Sequence, residues 1–255
     1  METDAVILAI GHSARDTVEM LYKNGAQIIQ KPFSVGARIE HPQKLIDKAQ
    51  YGAFAGHPKL GAADYKLSCH GLHQRGAYTF CMCPGGTVVA AASEKGGVIV
   101  NGMSTLARDG ENANSALLVG IDPVDFPSEH PLAGMYYQRE IEQNAFALGG
   151  GDYRAPAQLV GDFLADRESR ALGNVQPTCP TGVTLTNLRY CLPDKVRTTM
   201  QAAITEMDKR LHGFALPDAV LTAPETRSSS SVRILRDEFC QCNPVSYTHL
   251  TLPTT

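Results

Sequence analysis

A short apolar run near the start of the chain, residues 5–10, ends at Gly11 and is the feature that most constrains the fold. The run has β-branched residues and no polar position, which is typical of a strand buried on both faces of a sheet. The polar stretch after it has Ser13 spaced from Asp16 as in a capping box, so we expect a helix there that ends at 24–25. A strand of this kind lies inside a sheet, so its neighbouring strands are expected earlier or later in the chain.

Between residues 65 and 101, short apolar runs alternate with turns rich in glycine and proline, which predicts a β-meander or a small barrel. Helices are predicted at 42–50, 132–148 and 193–211, the last from apolar residues at helical spacing. Further strands are predicted at 27–30, 33–39, 115–121, 219–222 and 232–235. Residues 167–187 show no regular pattern and are predicted to be irregular. These patterns together indicate an α+β fold.

The charge balance excludes several classes of function. The chain of 255 residues has 23 Lys and Arg against 26 Asp and Glu, a net charge of −3. This balance offers no basic surface for nucleic acid and no polybasic patch for a membrane. There is no apolar run of about 18 residues and no basic region typical of a signal peptide. The seven scattered cysteines indicate a reduced, cytoplasmic protein. Neither a nucleic acid nor a membrane is therefore an expected partner.

The sequence contains no complete catalytic signature, because the glycine-rich dinucleotide fingerprint, the P-loop and the nucleophile elbow are all missing. Polar clusters remain near the ends of predicted strands, at 11–15, 81–86, 108–115 and 225–230. In the first cluster, Gly11 would let a ligand approach the main chain, and the following helix N-terminus favours an anion. On spacing alone, a plain turn between a strand and a helix explains this cluster better.

Two other clusters have competing interpretations. Cys81 and Cys83 would point to the same face of a strand, where their thiols could be redox-active or bind a metal. Zinc needs four ligands, and the remaining cysteine and histidine spacings are poor, so packed cysteines without a metal are favoured. Residues 108–115 could line a substrate cleft or form a solvated turn. Arg38 with Glu40 and His41 could form a polar site, although an exposed ion pair is the commoner outcome.

Several motifs together carry a resemblance to a known family. They are Gly-His-Ser-Ala-Arg-Asp-Thr at 11–17, Phe-Cys-Met-Cys-Pro-Gly-Gly at 80–86, Asn-Gly-Met-Ser at 101–104, Arg-Asp-Gly-Glu-Asn-Ala-Asn-Ser-Ala at 108–116, Ala-Pro-Ala-Gln-Leu-Val-Gly-Asp-Phe-Leu at 155–164, and parts of 217–234. With the strand that ends at Gly11, they resemble the uncharacterised FAD-dependent dehydrogenases, or NAD/FAD-dependent oxidoreductases, that share a conserved C-terminal domain.

The resemblance implies a flavoprotein oxidoreductase in which FAD transfers hydride to or from an unknown small-molecule substrate, with NAD(P)H as a candidate second cofactor. It assigns 1–25 to a partial, Rossmann-like FAD-binding domain, 26–212 to a β-rich inserted (substrate or cap) domain, and 213–238 to a return into the FAD-binding domain. It implies FAD contacts at Ala9, Gly11, His12, Ser13, Arg15, Thr226, Arg227 and Ser229. Because the glycine-rich turn is missing, we expect this chain alone to bind FAD weakly or not at all.

The final residues, 245–255, resemble a translated sequencing adapter and are predicted to be a non-native tail. The chain is therefore interpreted as a fragment truncated at both ends. One alternative is a stand-alone, non-catalytic module that binds a small ligand or a partner, and another is a thiol–metal protein. No catalytic acid or base is assigned from the sequence.

Overall fold

The computed structural model describes residues 6–242 and 248–249, and the fold is α+β as predicted. The helices are α1 (Arg15–Lys23), α2 (Gln43–Tyr51), α3 (Ala133–Gly149), α4 (Val160–Leu164) and α5 (Asp194–Asp208). The strands are β1 (Val6–Ile7), β2 (Ile28–Gln30), β3 (Phe33–Pro42), β4 (Ser68–Leu72), β5 (Arg75–Cys83), β6 (Gly86–Ala90), β7 (Val100–Ser104), β8 (Asn112–Ile121), β9 (Ala155–Leu159), β10 (Val183–Leu185), β11 (Val220–Glu225), β12 (Val232–Ile234) and β13 (Thr248–His249). The predicted tail at 245–255 lies outside the described residues, apart from the two of β13.

The chain divides into two compact units. The terminal unit contains the described parts of 1–33, 121–138 and 227–255, and the sheet unit contains 34–120 and 139–226. The grouping of 121–138 with the two ends of the chain was not anticipated from the sequence. The assignment of 1–25 and 213–238 to an FAD-binding domain, and of 26–212 to an inserted domain, stays a prediction.

The sheet unit is built on a seven-stranded mixed sheet in the order β10-β9-β11-β3-β8-β5-β4. The predicted meander or barrel is wrong, because β5 pairs with β4 on one edge and with the distant β8 on the other. Strands β6 and β7 form a separate antiparallel pair. The stretch 167–187, predicted to be irregular, contributes β10, which pairs in parallel with β9. Turn residues show where strands end, but they do not determine which strands pair.

Helix α5 covers part of the sheet and confirms the pattern predicted for 193–211, although it is shorter at its C-terminal end. It packs against β4 and β5. Its buried side chains recur at helical spacing and are Val196, Thr199, Met200, Ala203, Ile204 and Met207. Strand β3 is buried along nearly its whole length. Strand β8 is buried in the same way, so the central strands carry no solvent-facing side.

The terminal unit has its own small core, in which α1 and the first turn of α3 meet the antiparallel pair of β2 and β12. The buried residues of this core are Val18, Ala26, Ile28, Leu132, Met135 and Val232. Strand β1 is shorter than predicted, and its burial on both faces is a wrong prediction, because Val6 is 48% exposed and Ile7 69%. Apolar composition favours a strand but does not supply the surface that covers it.

Crossing a lipid bilayer requires a helix that is both long and apolar, and the helices of the described part of the chain were measured by these two properties in the structure. None of them meets that requirement.

Candidate functional site

The N-terminal turn, residues 11–15, lies between β1 and α1. Gly11 has a φ of +68°, and a side chain placed there would meet no atom within 4 Å. Helix α1 begins at Arg15, and its N-cap residue, Ala14, makes no side-chain cap hydrogen bond. The predicted capping box is therefore wrong, since Ser13 precedes the N-cap and its carbonyl accepts a 2.9 Å hydrogen bond from the Arg15 N–H. The main chain of this turn borders open space beside an uncapped helix N-terminus.

The return loop, residues 227–231, lies against the N-terminal turn. Nε2 of His12 lies 2.7 Å from the carbonyl oxygen of Arg227, and the ring donates because a carbonyl oxygen only accepts. Burial lowers the pKa of His12, and nearby positive charges, that of Arg227 first, lower it further. The imidazole is therefore neutral at pH 7. The fold thus brings together two distant segments that the resemblance assigns to FAD binding.

Arg15 points into the terminal unit rather than toward solvent. It is 1% exposed, and its Nη2 donates to Oε1 of Gln138 at 3.3 Å. The same oxygen accepts a 3.0 Å hydrogen bond from the hydroxyl of Ser231. Gln138 therefore ties α1 to the return loop. Nothing in the sequence distinguishes Gln138 from other residues of α3, because a glutamine within a helical pattern carries no local signal.

The other predicted cofactor residues lie in different environments. Ala9 is exposed. Ser13, in the N-terminal turn, and Ser229, in the return loop, are both half-buried. Thr226 belongs to the sheet unit and is fully buried. Its hydroxyl donates to Oε1 of Glu142 at 2.7 Å, so this side chain fastens the end of β11 to α3.

A buried polar layer lies on one face of the sheet, with Arg38 of β3 at its centre. Arg38 is 0% exposed, and its Nε donates to Oε2 of Glu225 at 2.6 Å in a buried ion pair. Its other N–H groups donate to Asn114 Oδ1 at 3.1 Å, Asn101 Oδ1 at 2.8 Å and the Cys81 carbonyl at 2.7 Å. The expected exposed ion pair is therefore wrong, because β3 lies at the centre of the sheet.

Glu40 lies two residues beyond Arg38 on β3 and so on the same face. Its Oε1 accepts hydrogen bonds from the Thr178 hydroxyl at 2.6 Å and from Asn112 Nδ2 at 3.2 Å. Burial raises the pKa of Glu40, and these hydrogen bonds only partly oppose the rise. The layer thus holds a carboxyl group that protonates more readily than a glutamate in water.

His41, the third member of the predicted polar site, is also fully buried. Its Nε2 donates to the carbonyl oxygen of Phe214 at 2.8 Å. Burial lowers the pKa of His41 to about 4, so the ring is neutral at physiological pH. Because successive strand residues face opposite sides of a sheet, His41 lies on the other face from Glu40 and is an anchor for the loop at Phe214.

We expect Glu40→Gln to remove a pH dependence of stability that the wild-type protein has. A raised pKa in the folded state means that folding takes up protons between the ordinary value of 4.5 and the folded value. Wild-type stability should therefore rise relative to that of the variant as the pH falls from neutral through this window. Denaturant unfolding of both proteins at several pH values measures the difference, and a flat or reversed difference would contradict the assignment.

The two remaining polar clusters, residues 108–115 and the Cys81–Cys83 pair, each have an exposed part and a buried part. Of residues 108–115, the loop part through Glu111 is exposed or half-buried, whereas Asn112 to Ser115 are buried within β8. Of the two cysteines favoured as packed, Cys83 is buried and Cys81 is exposed. Within the described residues, no group of three or more His, Cys, Asp or Glu side chains is placed to hold a metal.

Comparison with known proteins decides the family. Residues 32–228 match the family model described as FAD-dependent protein, C-terminal domain-like. The chain belongs to this family. The match confirms the resemblance inferred from the motifs, and it links this FAD-dependent C-terminal domain family to the seven-stranded sheet and its buried polar layer.

A relative within the curated proteins extends this similarity. The chain is 53% identical over 235 residues to an uncharacterized protein of Clostridium beijerinckii, and the matched region covers 92% of this chain. It covers 44% of the relative, so the chain spans less than half of that protein's length.

The residues of the N-terminal turn and return loop fit a flavin nucleotide in part. The open main chain at Gly11 leaves room for a ligand, and the uncapped N-terminus of α1 favours negative charge. Arg227 and Ser229 add a half-buried guanidinium and a hydroxyl in the return loop. These groups could hold a phosphate or the polar edge of an isoalloxazine ring, whereas the glycine-rich pyrophosphate turn is missing from the sequence.

Proposed function

We propose that this chain is part of an FAD-dependent oxidoreductase, in which the flavin ring transfers hydride to or from a small-molecule substrate. The family match over residues 32–228 is the observation that carries the proposal. In a flavoenzyme the isoalloxazine supplies the hydride chemistry, and the protein supplies binding and orientation. The chain's part in this work is to form one side of the flavin site and most of a substrate or cap domain.

The proposed flavin contacts are the main chain at Gly11, the hydroxyls of Ser13 and Ser229, and the cation of Arg227. The hydrogen bond from His12 to the Arg227 carbonyl supports them, because it holds the two segments side by side. A neutral His12 adds no charge of its own at pH 7, so Arg227 is the charged group that would face an anionic ligand.

We expect the purified 255-residue chain to be colourless and the Clostridium beijerinckii relative to be yellow with bound flavin. The chain lacks the glycine-rich turn, and it matches only 44% of the relative's length. Absorbance near 450 nm, followed by chromatography of the released flavin, measures both. An anaerobic addition of NADH or NADPH then tests whether a reduced nicotinamide bleaches the flavin of the relative.

Two outcomes would contradict different parts of this proposal. A relative that binds no flavin, even after refolding with FAD, would remove the flavoenzyme assignment. A stoichiometrically yellow 255-residue chain would show instead that the segments here suffice for FAD. A colourless chain that melts cooperatively, beside a relative without flavin, would favour the stand-alone binding module.

A further inference from the structure

Two cysteines separated by one residue lie at the end of β5, where one reaches solvent and the other does not. Cys81 is exposed, whereas Cys83 is 6% exposed. An exposed thiol beside a buried one is the arrangement in which the first can attack a disulfide and the second can resolve the product.

The backbone at Cys81 leaves the regular strand geometry of β5. Phe80 pairs with Ala116 and Cys83 with Asn114, so three steps along β5 oppose two along β8. The extra residue makes a β-bulge, and Cys81 has a φ of +46°, a conformation that favours glycine. Non-glycine residues held in this strained conformation cluster at functional sites.

Arg38 holds both cysteines from beneath the bulge. Its Nη1 donates to the carbonyl oxygen of Cys81 at 2.7 Å and lies 3.9 Å from Sγ of Cys83. The Cys83 thiol itself donates to the Cys81 carbonyl at 3.2 Å. The guanidinium thus fixes the bulge and places a positive charge beside the buried sulfur, where it would stabilise a thiolate.

We propose that Cys81 and Cys83 form a redox-active dithiol that reduces a small-molecule or peptide disulfide. The thiolate of Cys81 attacks one sulfur of the substrate, whose S–S bond breaks as a mixed disulfide forms and the first product leaves as a thiolate. Sulfur of Cys83 then attacks Sγ of Cys81, the mixed disulfide breaks, and the second thiol leaves with the proton of Cys83. The two electrons come from the two cysteines, which end joined to each other.

Burial keeps the two steps in order. It raises the pKa of Cys83, although the charge of Arg38 opposes the rise, so Cys83 rests as a thiol. The guanidinium then stabilises the negative charge that develops on this sulfur as it loses its proton in the second step. Disulfide reduction by Cys81 and Cys83 needs no flavin, so its test is independent of the proposed flavoenzyme function.

The test uses the full chain with Cys240→Ser and Cys242→Ser. Without these substitutions, this second Cys-x-Cys pair could also release coloured thiol and change the number of equivalents measured. The probe is dithiobis(nitrobenzoate), a disulfide whose released thiol is coloured. We expect two rapid equivalents of coloured thiol per chain, a mass lower by two hydrogen atoms, and a peptide map that links Cys81 to Cys83. The remaining cysteines, Cys69, Cys179 and Cys191, are buried and should react only after unfolding.

Two variants in the same background complete the design. With Cys83→Ser the released thiol should fall from two equivalents to one, and the adduct should stay on Cys81. With Cys81→Ser the rapid phase should disappear. A stable adduct on Cys81 in the background protein, or a Cys81 that does not react while the chain is folded, would overturn the proposal. Because the background protein gives this answer by itself, a variant that misfolds does not prevent the test.

Discussion

Gly36→Ala should abolish or severely weaken folding. Gly36 lies in the centre of β3, and an added Cβ would overlap the carbonyl oxygen of Leu117 in β8. It would also lie 2.8 Å from the Leu117 carbonyl carbon and 3.1 Å from Cα of Leu118. These are backbone atoms of the central ladder, so they cannot move aside without breaking the pairing of β3 and β8. We expect a loss of at least about 4 kcal/mol, beyond the usual range for overpacking.

Gly120→Ala is the matched control for this prediction, because Gly120 is likewise a glycine within a strand, β8. An added Cβ there meets no atom within 4 Å. Its stability should change by less than about 1 kcal/mol, since only the backbone entropy of the unfolded chain is altered. Urea unfolding of both variants gives the comparison. Equal, small effects would show that β3 and β8 are farther apart than described.

Arg38→Met should be the most damaging change in the buried polar layer. It removes the partner of Glu225 in a 2.6 Å ion pair and takes donors from Asn101, Asn114 and the Cys81 carbonyl. Burial already raises the pKa of Glu225 even with the guanidinium beside it. Without that charge, the carboxyl group has to fold protonated or unpaired. The expected loss is about 3–5 kcal/mol, as for other broken buried pairs.

Arg167→Met provides the control, because Arg167 forms an ion pair of the same 2.6 Å length with Asp162. The Arg167 side chain is 72% exposed, so water replaces the lost partner. We expect a loss below about 1 kcal/mol. If chemical unfolding shows the two variants to be equally stable, the buried layer does not depend on its ion pair.

Local patterns in the sequence predicted several elements well. Helix α5 follows from apolar residues every three or four positions, and the start of α2 follows from Pro42, which proves to be its N-cap residue. The family also followed from short motifs. Each of these conclusions depends on residues that are neighbours along the chain, so no knowledge of the folded structure was needed.

The candidate site was harder to predict, because burial decides what its polar residues do. Arg38 and Glu225 are 187 residues apart, and nothing local distinguishes a buried arginine from an exposed one. Asn112 and Asn114 lie two residues apart and so on the same face of β8, but the predicted strand begins only at residue 115. Cys81 and Cys83 looked like packed thiols until the bulge exposed one of them.

The sequence by itself therefore determined the α+β class, most of the helices and the FAD-dependent family. Only the tertiary structure decided that β5 pairs with β8 rather than continuing a meander, and that Arg38 lies beneath the Cys81 bulge. Hydrogen bonds within a helix join residues four apart, whereas a sheet joins segments at any distance. The buried polar layer and the Cys81 bulge both lie on the sheet, so they are defined by pairings that no local pattern contains.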